Sequence, residues 1–488
     1  MCDRPRIPDA LIRHLAQRIG RDHVLTDPAG MTPWLTEPRG RYHTAPLAVV
    51  RPASTGEVSE VVRLCRRAGI AIVTRGGGTG TVGGASMTGQ RPELLLSTDR
   101  MRSIERIDRD GASLTAGAGV ALERLREAAA AHGLDVPLRL ASGGSATLGG
   151  VLATNAGGHT TIRHGNARRM ALGLEAVLAD GRVLNLLSGL RKDNAGYDLI
   201  NLLVGSEGTL GIITRATIAL VPRDRQRVVA LLAVDSPGQA VELLKQARRA
   251  LGETLTAFEL IPRIALDAVL GWLEDARDPF APERWPWHVL MEAGTAIDGK
   301  WLEAATIDWL ERAQAQGLIG QAVVARSGRE ADRLWQLREA ISPAQRVLGA
   351  SIKHDIAVPV DAIPELIQSA VGELQRTVPG IRPCIFGHVG DGNLHFNLSR
   401  PEDWSDEAFR AQEPRINRIV FDRVQALGGS IAAEHGIGQL RVDEVKNRLD
   451  PVRLDLMRSI KRALDPDGVL NPGKRLPPDG SGGHRKSA

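Results

Sequence analysis

The chain has 488 residues, enough for about three domains at ordinary domain sizes. Apolar residues make up 43% and charged residues 24%, the balance of a globular protein; a net charge of +5 does not by itself indicate nucleic acid, and it is compatible with an anionic substrate or an acidic redox partner. Cys2, Cys65 and Cys384 form no CxxC pair, so neither an iron–sulfur domain nor a disulfide framework is supported. The N-terminus carries charges throughout and has no apolar core like that of a signal peptide, and no apolar run is long enough to span a membrane. A reducing, cytoplasmic setting fits these features.

In chain order, residues 46–51 read as a strand. Thr55 is placed to cap a helix that carries Val58, Val61, Val62 and Cys65 on one face. A second strand, 70–74, runs into RGGGTGTVGG at 75–84. Short strands at 94–97 and 112–117 and a helix at 122–132 precede a second glycine-rich block, SGGSATLGGVLATNAGG, which ends at Gly158. Asp180-Gly181 is the expected turn of a hairpin over 174–187, and a further strand covers 214–221. The polar stretch 222–227 marks a domain boundary. Beyond it, apolar strands alternate with helices near 237–250, 262–274 and 301–316, which predicts an antiparallel sheet with helices on one face. A last helix is expected at 451–464, and residues 476–488 read as a disordered tail.

Three groups of residues carry chemistry. The glycines at 75–84 free backbone N–H groups to converge on an anion, but no Lys-Ser follows and no helix opens on a GxGxxG, so phosphate binding and a merely tight loop stay open for this block alone. The block around Gly149, Gly150, Asn155, Gly157 and Gly158 favours a long diphosphate ligand threaded between layers. In GHVGDGNLHFN, 387–397, an extended 393–397 puts Asn393, His395 and Asn397 on one face, and the Gly-Asp-Gly turn brings His388 back beside His395. With Glu434 of AEHGIG these imidazoles suffice for a divalent metal, and His435 is then left to move a proton. The bland alternative is histidines satisfied by backbone. Finally, LWQLREAIS reads as helical, placing Arg338 and Ser342 on one face, with Lys353 following; these suit substrate carboxylates, or else are solvated charges.

Several motifs in linked order, VVRPASTGEV, RGGGTG at 75–80, ATLGGVLATNAGG at 146–158, GSEGTLGIIT at 205–214 and LNPGK at 470–474, resemble the vanillyl-alcohol oxidase and p-cresol methylhydroxylase superfamily. The second half is similar to the cap of its D-2-hydroxy acid dehydrogenases, through GHVGDGNLHFN and EHGIG. Within that group, RKDNAGYDL at 191–199 is most similar to the D-2-hydroxyglutarate branch, with D-lactate and glycolate dehydrogenases next. The resemblance implies an α+β fold. A two-subdomain FAD-binding domain of the p-cresol methylhydroxylase type would span 1–222 and a ferredoxin-like α+β cap 223–450, with 451–475 returning to the FAD domain. It implies non-covalent FAD, since glycines stand where some members carry the flavin-linking His. The FAD contacts would come from Arg75, Gly76, Gly77, Gly78, Thr79, Gly80, Gly84, Ser142, Gly149, Gly150, Asn155, Gly157, Gly158, Gly211, Ile212 and Asn471. It further implies His388, His395 and Glu434 as ligands of zinc or manganese, His435 as base, and Arg338, Ser342, Lys353 and Asn397 as substrate contacts. The expected reaction oxidises a D-2-hydroxy acid, with hydride passing to the flavin. Electrons leave to an electron-transfer flavoprotein, quinone or cytochrome. A homodimer is compatible with this reading. An FAD oxidase of another substrate class and a non-catalytic flavin-binding subunit remain the rivals.

Overall fold

The structure, a computed structural model, describes residues 8–477. The expected tail therefore falls, from 478 onward, outside the described residues. The described residues form two compact units, one of 8–156, 166–222 and 434–477, the other of 157–165 and 223–433. Two expected assignments change. Gly157 and Gly158 belong with the second unit, and that unit ends at Ala433, not at 450.

The first unit holds two main sheets. In the four-stranded one, Val49–Val50 and Ala71–Arg75 both pair in parallel with Glu93–Ser97. Helix Thr55–Arg67 buries Val58, Val61, Val62 and Cys65, as its spacing predicts. Its cap is Ser54, whose hydroxyl accepts from Glu57 N; Thr55, one residue inside, instead donates to Glu175 Oε1. The second sheet is antiparallel, with strand Ile212–Ala219 between Ser113–Gly117 and Ala171–Val177. The hairpin 171–185 turns at Gly181, whose φ is 83°. After helix Pro451–Leu464 the chain returns to the first sheet: Leu470 bridges Ile72, and Asn471 N donates to Ile72 O at 2.8 Å.

The second unit is built on one seven-stranded antiparallel sheet. Its strands run in the order Gln321–Val324, Gln226–Val234, Trp287–Thr295, Leu255–Pro262, Arg382–His388, Asn393–Ser399 and Ser351–Ala357. Helices cover both faces, not one. Val228, Ala230, Leu232 and Val234 pack in one apolar cluster, with helices Pro237–Leu251, Trp301–Ala315, Ile363–Thr377 and Glu413–Ala426. Val229, Leu231 and Ala233 pack in the other, with Arg263–Trp272 and Gly328–Glu339. An uninterrupted run such as VVALLAV needs apolar partners on both sides, and each is present.

Candidate active site

In the second unit, Arg382–His388 and Asn393–Ser399 form the hairpin expected around Gly390-Asp391-Gly392. Leu394, Phe396 and Leu398 enter the core on one face. On the other, the His388 and His395 rings stand 5.4 Å apart, centroid to centroid. The next strand pairs Asp355 with His395 and Lys353 with Asn397, and directly paired residues share a face. One ligand atom of Asp355 and one of His395 lie within 4.8 Å of each other. Asp355 also anchors the site's backbone. It accepts from Asn393 Nδ2 at 2.9 Å, and its carbonyl and Oδ2 receive Ala433 N at 3.3 and 3.2 Å. Glu434 is the next residue in the chain.

Glu259, fully buried on Leu255–Pro262, lies opposite His388. Its Oε1 meets His388 Nδ1 at 2.6 Å, while Oε2 accepts from Arg338 Nε at 2.8 Å and pairs with Nη2 of the same guanidinium, 2.7 Å away. Burial opposes the charge, but His388 and Arg338 outweigh it and hold this carboxyl below the usual range. The Arg338 guanidinium carbon sits 4.8 Å over the Phe386 ring. Nearby, the His159 and Trp335 rings lie 4.2 Å apart, centroid to centroid, tilted by 38°. Burial pushes His159 down to about 3, against the pull of Glu259, so it is neutral at physiological pH.

In the first unit the two glycine-rich blocks meet backbone to backbone. A methyl group on Gly76 would come within 2.5 Å of Thr147 Oγ1, and one on Gly77 would overlap the Ser145 carbonyl. The buried hydroxyls of Thr74, Thr81 and Thr147 have no partner among the described residues. A second knot gathers on Glu207, a buried residue at φ 55°. Its carboxylate accepts from Ile437 N at 2.9 Å, Gly438 N at 2.7 Å and Arg475 Nη1 at 2.9 Å. Its carbonyl accepts from Asn471 Nδ2 at 2.7 Å, and the same amide reaches Gly84 O at 3.0 Å. Glu207 thereby fixes the segment that carries His435, whose Nε2 lies 3.5 Å from Glu434 Oε1.

Residues 46–187 match the FAD binding domain family, and 223–475 match the family of FAD linked oxidases, C-terminal domain. The chain is an FAD-dependent dehydrogenase of the FAD-linked oxidase family. Among its relatives is the D-2-hydroxyglutarate dehydrogenase of Xanthomonas citri pv. viticola, 35% identical, with 96% of this chain and 97% of that protein aligned. The mitochondrial D-2-hydroxyglutarate dehydrogenase of Bos taurus is 36% identical over 94% of this chain and 82% of its own length. In fold, p-cresol methylhydroxylase superposes with a TM-score of 0.77 at 19% identity, covering 96% of both chains. An alkyldihydroxyacetonephosphate synthase superposes at 0.72 and 18% identity, over 97% of this chain and 86% of its own.

The residues of this FAD-linked dehydrogenase fit the cofactor. Glycines where side chains would collide leave backbone surface open to a ligand, and orphaned hydroxyls at Thr74, Thr81 and Thr147 offer hydrogen bonds to it. Arg75 is half-buried and donates to Thr36 O, burial pushing it below the usual arginine range. Other expected contacts have structural duties. Asn155 ends helix Leu148–Thr154 at φ 52° and accepts from Arg168 N; Ile212 is buried and pairs with Val177; Ser142 is exposed, with its carbonyl closing a turn.

The expected substrate residues divide similarly. Arg338 is buried on Glu259, but the helix ends at Glu339, and Ser342, on the next short helix, is exposed. Asn397 donates to Gln345 Oε1 at 3.0 Å. Lys353 is half-buried on its strand. Sequence reasoning missed Glu259, Asp355 and Glu207. A usable signal existed for two of them. Glu259 interrupts the apolar run LTAFELIP and Asp355 the run HDIAV, and a carboxylate inside a buried strand needs a partner.

Proposed function

We propose that this FAD-dependent dehydrogenase oxidises a D-2-hydroxy acid, best D-2-hydroxyglutarate, at a divalent-metal centre. The observation that carries the reading is the hairpin pair His388 and His395 with Asp355 on the facing strand, in a chain 35–36% identical to D-2-hydroxyglutarate dehydrogenases. The donor set fits zinc or manganese: imidazoles and carboxylates, with one imidazole oriented by a buried carboxylate. His388, His395 and Glu434 would hold the ion, and Asp355 would brace or join them. A bound cation supplies Lewis-acid polarisation of the C2 hydroxyl.

His435 takes the hydroxyl proton. Arg338 and Lys353 receive the carboxylates, the first as a fork and the second as a point charge. Ser342 and Asn397, whose amide also donates to Gln345 Oε1 at 3.0 Å, would complete the carboxylate contacts. Bound FAD supplies the hydride acceptor, and an external flavoprotein, quinone or cytochrome takes the electrons afterwards.

The test is anaerobic mixing of the flavin-loaded protein with D- and L-2-hydroxyglutarate, D-lactate and glycolate, with and without chelator. D-2-hydroxyglutarate should bleach the flavin fastest, and chelator should abolish the reaction. If no D-2-hydroxy acid bleaches it, the reading fails. His435→Ala should slow bleaching about 10²–10⁴-fold while keeping metal, whereas His388→Ala should lose metal and keep flavin.

A further inference from the structure

We infer that Glu259 is a positioning residue that orients a metal ligand and a carboxylate-binding arginine at once. The inference rests on the proposed roles of His388 and Arg338 and adds a residue that neither the motifs nor the family resemblance names.

A carboxylate ion-paired with the Arg338 guanidinium through Oε2, accepting from Nε at 2.8 Å with Nη2 2.7 Å away, is ionised and can only accept. His388 Nδ1, 2.6 Å from Oε1, must then carry the hydrogen, which fixes the tautomer with the lone pair on Nε2, the nitrogen that would ligate an ion. The same pairing engages Nε of Arg338 with Glu259, and the Nη groups form the fork toward a substrate carboxylate. Oε1 and Oε2 are one rigid group, so the ligand and the fork are held in fixed register. Glu259 is buried on a central strand and directly paired with His388, which removes its freedom to follow either partner elsewhere.

Glutamine cannot replace it. Whichever way the amide lies, its NH₂ faces a donor, either His388 Nδ1–H or the Arg338 fork. Glu292 provides the control: it is a buried carboxylate on the neighbouring strand, bonded to Arg227 and Trp335 Nε1 instead.

The experiment is a Mn²⁺ titration of the flavin-loaded full chain, followed by the electron paramagnetic resonance of free Mn²⁺, together with KM and kcat for D-2-hydroxyglutarate. Glu259→Gln should weaken Mn²⁺ binding about 10–100-fold and raise KM, with the flavin spectrum unchanged. Glu292→Gln should leave Mn²⁺ affinity at the wild-type value. If Glu259→Gln does not fold, the charge-neutral pair Glu259→Leu with Arg338→Met is used, with the same loss of Mn²⁺ affinity expected. Wild-type Mn²⁺ affinity in a folded Glu259 variant overturns the inference and leaves the metal site standing. Failure of the wild-type chain to bind Mn²⁺ overturns the metal reading and this inference with it.

Discussion

Two buried glutamates organise the two units, and they do so differently. Glu207 gathers backbone amides: it ties the segment after His435, and through its own carbonyl Asn471, into loops that have few side chains of their own. Glu259 gathers side chains, a histidine and an arginine that stand on regular elements. The contrast follows from what each unit presents. Loops rich in glycine present backbone and need an acceptor to fix it, whereas a seven-stranded sheet fixes its own backbone and needs only its polar side chains aligned.

Substitution separates the roles of the two glutamates. Arg338→Met leaves the Glu259 charge buried with one partner and should destabilise the second unit by about 3–5 kcal/mol, read as lost hydrogen-exchange protection in 255–262 and 382–399. A fall confined to activity would mean that the pair serves substrate alone. A pH effect of about 3 kcal/mol is expected from His288 of the same unit. It is fully buried on strand Trp287–Thr295, with Phe280 stacked beside it, and burial pushes it down to about 4. The unfolded chain takes up this proton near pH 6.5, and the folded unit only near pH 4. Stability should therefore be intact above pH 6.5 and decline as pH falls through that window. His288→Phe should flatten the decline in acid unfolding.

Glu207→Ala should cost the first unit about 2 kcal/mol through unpaired amides. It should speed exchange at Ile437 and Gly438 and loosen flavin retention, while the second unit is unmoved. The smallest expected effect is Ser54→Ala, about 1 kcal/mol through loss of one helix cap, read as a modest drop in the first unit's thermal transition. A comparable loss from Thr55→Val would show instead that its bond to Glu175 matters as much as the cap.

What was legible in the sequence was local. The 387–397 hairpin follows from a turn between two strands of period two, and the glycine blocks announce close backbone approach before any fold is known. What was hidden depends on partners remote in sequence. Glu259 and His388 are 129 residues apart and Glu207 and Gly438 are 231 apart, so no window contains either pair. For Ser342 the i, i+4 argument assumed one continuous helix, whereas helix Gly328–Glu339 ends before it and Ser342 stands on the next short helix.

The short excursion of residues 157–165 into the second unit has a practical consequence for dissecting the protein. A fragment cut at the obvious boundary, 223–433, would omit it. The fragment would lose His159 from Trp335 and the Arg163–Asp224 ion pair at 2.9 Å, and would bare the strand Leu255–Pro262 where helix Thr161–His164 packs. Expression of the second unit alone therefore calls for a fragment that restores 157–165 through a designed linker, not for a simple truncation.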